Sequence, residues 1–183
     1  MNVDPLNAET FGQDFFTLFD LPRAFALDAP LLDERYRAAA GEVHPDRFAH
    51  AGDAERRVAL MMATRVNEAY RTLKQPLSRA RYLLTLSGVD TQEDTNTAMP
   101  AAFLMAQMEW REAVMDAKAD RDVDALERLA RELRGDASAL TAELQTALDT
   151  AGDLDAAALL VRKWRFLEKL EQEIGDAIEA LLF

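Results

Sequence analysis

The 183-residue chain has no cysteine. This excludes disulfides, thiolate metal sites and any iron–sulfur cluster ligated by cysteines of this chain. It suits a reducing compartment, and the cytoplasm is the expected location. No apolar run approaches the roughly 20 residues of a membrane helix. The opening Met1-Asn2-Val3-Asp4-Pro5 lacks the charged-then-apolar layout of a secretory signal and the Arg-rich layout of a transit peptide. There is no Gly-rich phosphate loop. His44 has no serine or cysteine close in sequence that could serve as a nucleophile. These absences argue against an enzyme.

Glycine (7) and proline (6) are scarce, and β-branched residues are few, whereas Ala, Leu, Glu and Arg dominate. These are strong helix formers. With 49% hydrophobic residues the chain can build a real core, and the expected class is all-α. The net charge of −12 is unevenly spread. Residues 11–86 carry 11 basic and 10 acidic side chains, whereas residues 87–183 carry 10 and 21, and the first ten residues hold the other two carboxylates. The acidic half argues against nucleic acid, whose backbone demands concentrated positive charge. The same acid also serves simply to solvate the surface.

Periodicity divides the chain. A short apolar stretch, Phe15-Phe16-Thr17-Leu18-Phe19, follows Asp14 and stops before Pro22. Asp28 offers an N-cap with Pro30 in the first turn, and Leu32, Tyr36 and Val43 recur at helical spacing. This helix must end by Val43 or His44, because a residue before proline avoids the α region. Residues 44–52 read as a loop. Asp53 is a candidate cap for the next helix, with Val58, Met62, Val66, Ala69 and Leu73 as its stripe and Pro76 as its stop. A further short helix spans Ser78 to Leu86, closed by Gly88. Residues 88–98 are polar and aperiodic and are assigned as a linker between an N-terminal domain (11–87) and a C-terminal one (99–183). Three longer helices follow: one over roughly 100–118, one over roughly 122–150 with Leu126, Leu129, Leu133, Leu140, Leu144 and Leu148 as its stripe, and one after the candidate cap Asp153 with Leu160, Trp164, Leu167, Ile174, Ile178 and Leu181. Their short connections imply an antiparallel three-helix bundle.

The chemistry concentrates in His44-Pro45-Asp46. Pro45 fixes its own φ and forces His44 to be extended, throwing the imidazole out from the helix end. Asp46 then presents a carboxylate suited to an arginine on a partner, and Arg47 follows. Three other readings stay open on the residues alone. The tripeptide is also what an ordinary helix-terminating turn looks like. His44, Asp46 and His50 have acceptable metal-ligand types, which would suit a metal-dependent enzyme. A plain helical adaptor needs neither.

The setting of the tripeptide narrows these readings. It lies between two amphipathic helices, an aromatic-rich short helix precedes them, and Asn67-Glu68-Ala69-Tyr70 with Leu73 and Pro76 lies downstream. From about Phe11 to Leu84 this arrangement resembles a J-domain. The resemblance implies that His44, Pro45 and Asp46 engage a DnaK-type chaperone and stimulate its ATP hydrolysis. J-domains often carry basic residues just before the loop. Here Gly41 and Glu42 stand there, leaving Arg35, Arg37 and Arg47 as the nearest positive charges.

The helix beginning near Pro100 has two apolar sides. At about 100° per residue, Ala106, Trp110, Ala113 and Ala117 share the expected core side, with Phe103 and Val114 at its edge. Leu104, Met105 and Met108 fall nearly opposite, beside Glu109 and Glu112. A bundle helix needs one apolar stripe, so the second is a candidate protein-binding surface. It could equally pack against the N-terminal half or a second copy. Phe166, beside Arg162 and Lys169, either flanks this patch or belongs to the peripheral core.

Four stretches tighten the resemblance to the HscB family of iron–sulfur co-chaperones: Phe15-Phe16-Thr17-Leu18-Phe19, the run from Pro76 to Leu84, the run from Phe103 to Glu109, and the run from Val161 to Leu167. The similarity implies a J-domain joined to a three-helix bundle. It implies that Leu104, Met105, Met108, Glu109, Glu112 and Phe166 hold the cluster scaffold IscU, and that the loop brings it to the chaperone HscA. It implies the bacterial form without an N-terminal zinc module, no cofactor of its own and no membrane partner. A J-domain co-chaperone with a different client is the alternative.

Overall fold

The structure, a computed structural model, describes residues 11–183. The reading of the first ten residues lies outside them. The described chain is helical, and it divides into two compact units, one ending at Leu83 and one beginning at Leu84.

In the first unit, α1 spans Phe15–Leu18, α2 Ala29–Glu42 and α3 Asp53–Lys74, and α4, Pro76–Leu86, starts there. Asp14 caps α1 by accepting from Phe16 N at 2.9 Å and Thr17 N at 3.1 Å. Asp28 caps α2 by accepting from Leu31 N at 3.0 Å. The core is Phe15, Phe16 and Phe19 from α1 and its end, Leu32 from α2, and Ala59, Met62, Val66, Ala69 and Leu73 from α3. The predicted α3 stripe is therefore the buried face, with Val58 at its margin. Two boundaries differ from expectation. Gly52, not Asp53, is the N-cap of α3, with Glu55 Oε2 accepting from Gly52 N at 3.3 Å. Pro76 does not merely end α3. It opens α4, because a proline N-terminal residue has no N–H to leave unsatisfied.

The α4 run from Leu77 to Tyr82 closes this unit. Arg79 is buried, and its guanidinium donates to Phe25 O at 2.7 Å and Leu73 O at 2.6 Å. It thereby ties the segment before α2 to the end of α3. Tyr82 stacks on Phe15 with centroids 4.5 Å apart, and its hydroxyl accepts from Phe15 N at 3.0 Å.

In the second unit, α5 spans Ala101–Ala119, α6 Val123–Gln145 and α7 Leu154–Leu182. Asp122 and Asp153 cap α6 and α7 through Ala125 N (2.9 Å) and Ala156 N (3.0 Å). The expected α6 stripe is buried at Leu126, Leu129, Leu133, Leu140 and Leu144. Beyond Gln145 the winding widens to a π-turn, Thr146–Ala151, so Ala147 takes the buried place and Leu148 is half-buried. Gly152 then adopts φ +63°, the left-handed conformation that reverses the chain cheaply only at glycine. On α7 the inner face runs Leu160, Val161, Leu167, Leu170, Ile174 and Ala177, while Trp164, Ile178 and Leu181 are half-buried. Residues 88–98 are held to α7: Arg162 donates to Thr91 O at 3.2 Å, and Lys169 Nζ lies 3.3 Å from Asp94.

Both tryptophans, Trp110 and Trp164, lie in this unit, so indole fluorescence reports its unfolding. Leu144 is fully buried. Leu144→Ala is expected to lower the stability read from Trp fluorescence in urea by about 2–5 kcal/mol.

Candidate functional sites

The geometry of the 44–47 loop is set by its two anchors. Val43, the C-cap of α2, is 1% exposed, and Phe48 is half-buried. Between them the chain is not an irregular loop but one 3-10 turn, Pro45–Phe48, with Arg47 N donating to His44 O at 3.0 Å. His44 is extended (φ −62°, ψ 134°), as the following proline requires. It caps the turn with its own ring, Nδ1 accepting from Asp46 N at 3.3 Å. Accepting there leaves Nε2 as the outward ring nitrogen. The Asp46 carboxylate lies 3.5 Å from Nδ1 and is 92% exposed. Pro45 and Arg47 are exposed too. Backbone and anchors thus present three polar side chains, His44, Asp46 and Arg47, to water. Among the described residues, no three His, Asp or Glu side chains are grouped to hold a metal ion, so His44, Asp46 and His50 do not converge.

The helices that frame this turn are locked together by the Asn67-Glu68-Ala69-Tyr70 segment. Ala69 is fully buried, and its small side chain permits close approach of α2. Tyr36 stacks on Tyr70 with centroids 4.1 Å apart, and its hydroxyl donates to Asn67 Oδ1 at 2.8 Å. Tyr70 donates to Asp33 Oδ1 at 2.9 Å, and Lys74 Nζ reaches the same oxygen at 2.5 Å. Hydrogen bonds from Lys74 and then Tyr70 hold the Asp33 carboxyl below its usual pKa, and the Asp33 contact raises that of Lys74. Of the two helical arginines singled out, Arg37 is exposed, whereas Arg35 is 3.2 Å from Asp20.

On α5 the two sides separate as expected, with one shift. Val114 and Ala117 are buried and Phe103 and Trp110 half-buried, while Ala113 is exposed. Phe103 and Val114 are thus central to the inner face and Ala113 is outside it, because the large rings set the helix's rotation. Opposite, Leu104 (42%), Met105 (63%) and Met108 (72%) are exposed, as are Glu109 and Glu112. Phe166 belongs to an aromatic cluster, edge-on to Phe103 at 5.8 Å and stacked near Trp110 at 6.3 Å. Arg111 lies over its ring at 5.4 Å. Half-buried, Phe166 joins α7 to α5 and does not stand free among the exposed methionines. Met115, 70% exposed, is absent from the sequence-derived set. Its seven-residue spacing from Met108 is the signal that places it on the same face.

A family model described as the HSCB C-terminal oligomerisation domain matches residues 99–175. The chain is 69% identical over 172 residues to the co-chaperone protein HscB homolog of Chromobacterium violaceum, a match covering 94% of this chain and 97% of that protein. The chain belongs to the HscB co-chaperone family. The HscB homolog of an Azoarcus species is 55% identical over 169 residues, 92% of this chain and 96% of that protein. Among solved structures, chaperone HscB from Vibrio cholerae superposes with a TM-score of 0.78 at 36% identity, covering 92% of this chain and 99% of that one. Human co-chaperone HscB gives 0.81 at 31% identity, covering 89% and 81%. HscB membership bears out the resemblance read from the motifs and agrees with the all-helical fold. No helix among the described residues is long and apolar enough to cross a membrane.

The Asp33 contacts carry a pH signature. The folded carboxyl holds its proton less readily than the unfolded one, so the unfolded chain gains protons first as pH falls through about 4. The contribution is present above that range and is lost below it. Asp33→Asn is expected to lower the thermal midpoint at neutral pH and to flatten the fall in stability between about pH 5 and 3, followed by circular dichroism across that range.

Proposed function

We propose that this HscB-family chain is a cytoplasmic, non-enzymatic adaptor of iron–sulfur cluster assembly. It binds the cluster scaffold IscU through the outer face of α5 and delivers it to the DnaK-type chaperone HscA, whose ATPase it stimulates through His44-Pro45-Asp46. The observation that carries the reading is the anchoring of that turn: buried Val43 and half-buried Phe48 flank it, while His44 and Asp46 are 58% and 92% exposed. A backbone turn already formed before binding loses little freedom when its Asp46 carboxylate meets an arginine, so more of the contact energy goes into the complex. Arg37 and Arg47 supply positive charge around it, with Arg35 partly occupied by Asp20.

Leu104, Met105 and Met108 suit a client surface because methionine adapts to irregular apolar partners. Glu109 and Glu112 select a partner with basic edges. Phe166 supports the patch from beneath, through Phe103 and Trp110. ATP and the cluster stay with the partners. This chain raises the rate at which one partner closes on the other.

Two variants separate the functions. His44→Gln is expected to abolish stimulation of the chaperone ATPase and leave scaffold affinity unchanged. Met105→Ala with Met108→Ala is expected to weaken scaffold binding by at least about tenfold, with scaffold-free stimulation intact. Single-turnover ATP hydrolysis and calorimetric titration read the two effects. Stimulation by the wild type without scaffold binding would identify a J-domain co-chaperone for another client. Wild-type behaviour in both variants would remove the two-site reading.

A further inference from the structure

The turn at Pro45–Phe48 is too small to hold a partner alone. A stable interface takes about 20 residues from each side, so a partner that grips Asp46 must also touch the helices beside it. On one side α2 offers little. Beyond Arg37 it ends Ala38-Ala39-Ala40-Gly41-Glu42, with no basic residue in its last turn. On the other side α3 offers more. Leu60 and Met61 are 62% and 59% exposed, and they are the exposed large apolar side chains among the described residues of the first unit.

These two residues share a face with the start of α3. Asp53, Arg56, Arg57 and Leu60 follow at the i, i+3, i+4, i+7 spacing of one helical face, and Met61 lies beside Arg57 at its edge. That face is opposite the buried stripe of Met62, Val66, Ala69 and Leu73. The four side chains line a shallow depression of about 360 Å³. The charge around it is partly settled within the chain. The Arg56 guanidinium donates to Asp53, and Glu55 turns back to the amide of Gly52. Arg57 is exposed and has no ion-pair partner among the described residues. The uncommitted charge beside the apolar pair is therefore positive.

We infer that the outer face of α3 from Arg57 to Met61 is a second contact for the DnaK-type chaperone that the turn engages. It takes an apolar side chain against Leu60 and Met61, flanked by a carboxylate for Arg57. This rests on the reading of the turn as the chaperone's site. Continuity argues for that occupant, because Leu60 is only about 10 Å along α3 from Asp53, and Asp53 follows closely on the turn. His44 and Asp46 act on the chaperone, and the α3 face lengthens the encounter. The scaffold is a poor match: a partner with basic edges suited to Glu109 and Glu112 sets like charge against Arg57. A second copy carries the same net charge of −12 and is repelled at long range.

The test measures scaffold-free stimulation of the chaperone ATPase against the concentration of full-length variants. These are Leu60→Glu with Met61→Glu, Leu60→Ala with Met61→Ala, Arg57→Glu and, as a control, His44→Gln. The α3 positions are exposed, so helicity and melting should match the wild type. The glutamate pair is expected to raise the half-saturating concentration about tenfold or more, and the alanine pair and Arg57→Glu several-fold. Maximal stimulation and scaffold affinity should not change, and the Arg57→Glu effect should shrink in high salt. If the control loses stimulation and all three α3 variants keep the wild-type half-saturation, α3 makes no contact and the inference is wrong. If they lower the maximum and leave half-saturation alone, they disturb the turn and the contact is likewise absent. If the control stimulates normally, the reading of the turn falls and the α3 contact falls with it. Scaffold affinity lowered by the α3 variants, or self-association lost in sedimentation with stimulation intact, would assign the face to the scaffold or to a second copy and overturn the inference.

Discussion

The pairing of α2 with α3 is the constraint on which the His44-Pro45-Asp46 turn depends. Ala69 lets the helices approach, Tyr36 and Tyr70 stack across the gap, and Asp33 takes hydrogen bonds from both Tyr70 and Lys74. An exposed turn of a few residues has too few contacts to hold one shape. Here the turn inherits its shape from the ends of two locked helices. Val43 is fixed because α2 is, and the proline after His44 then leaves a single course for the chain. The signature residues of α3 therefore serve the loop without touching it.

The second unit achieves the opposite: it leaves apolar surface unburied. Its core is already complete with the leucine stripe of α6, the inner face of α7 and the two buried residues of α5. The rings of Phe103, Trp110 and Phe166 fix the rotation of α5, and that rotation turns Leu104, Met108 and Met115 to solvent. Exposed methionine and leucine are costly in water, and carboxylates alongside keep the surface soluble while favouring basic partners. Stability thus uses one side of α5 and leaves the other side open for the recognition proposed for it.

Much of this organisation could be read in the chain itself. The stripes of α3 and α6, the caps Asp28 and Asp153, and the outward tripeptide all follow from period, cap chemistry and proline sterics. Those rules act within a few residues, so local sequence suffices. The errors occur where distant groups compete. Ala113 looked like core and is exposed, because bulky rings elsewhere on α5 decide which side faces inward. The π-turn after Gln145 shifts the buried place from Leu148 to Ala147, a change in winding that no fixed period anticipates.

By itself the sequence determined the all-helical class, the family, and the identity and outward course of His44-Pro45-Asp46, because composition, heptad-like spacing and backbone sterics are local properties. Only the tertiary structure decided that the tripeptide forms a 3-10 turn capped by its own imidazole, that Phe166 lies in an aromatic cluster, and that Met115 lies in line with Met108 on open surface. Each of these depends on which side of a helix its neighbours cover, and that is settled by packing between residues far apart in the chain.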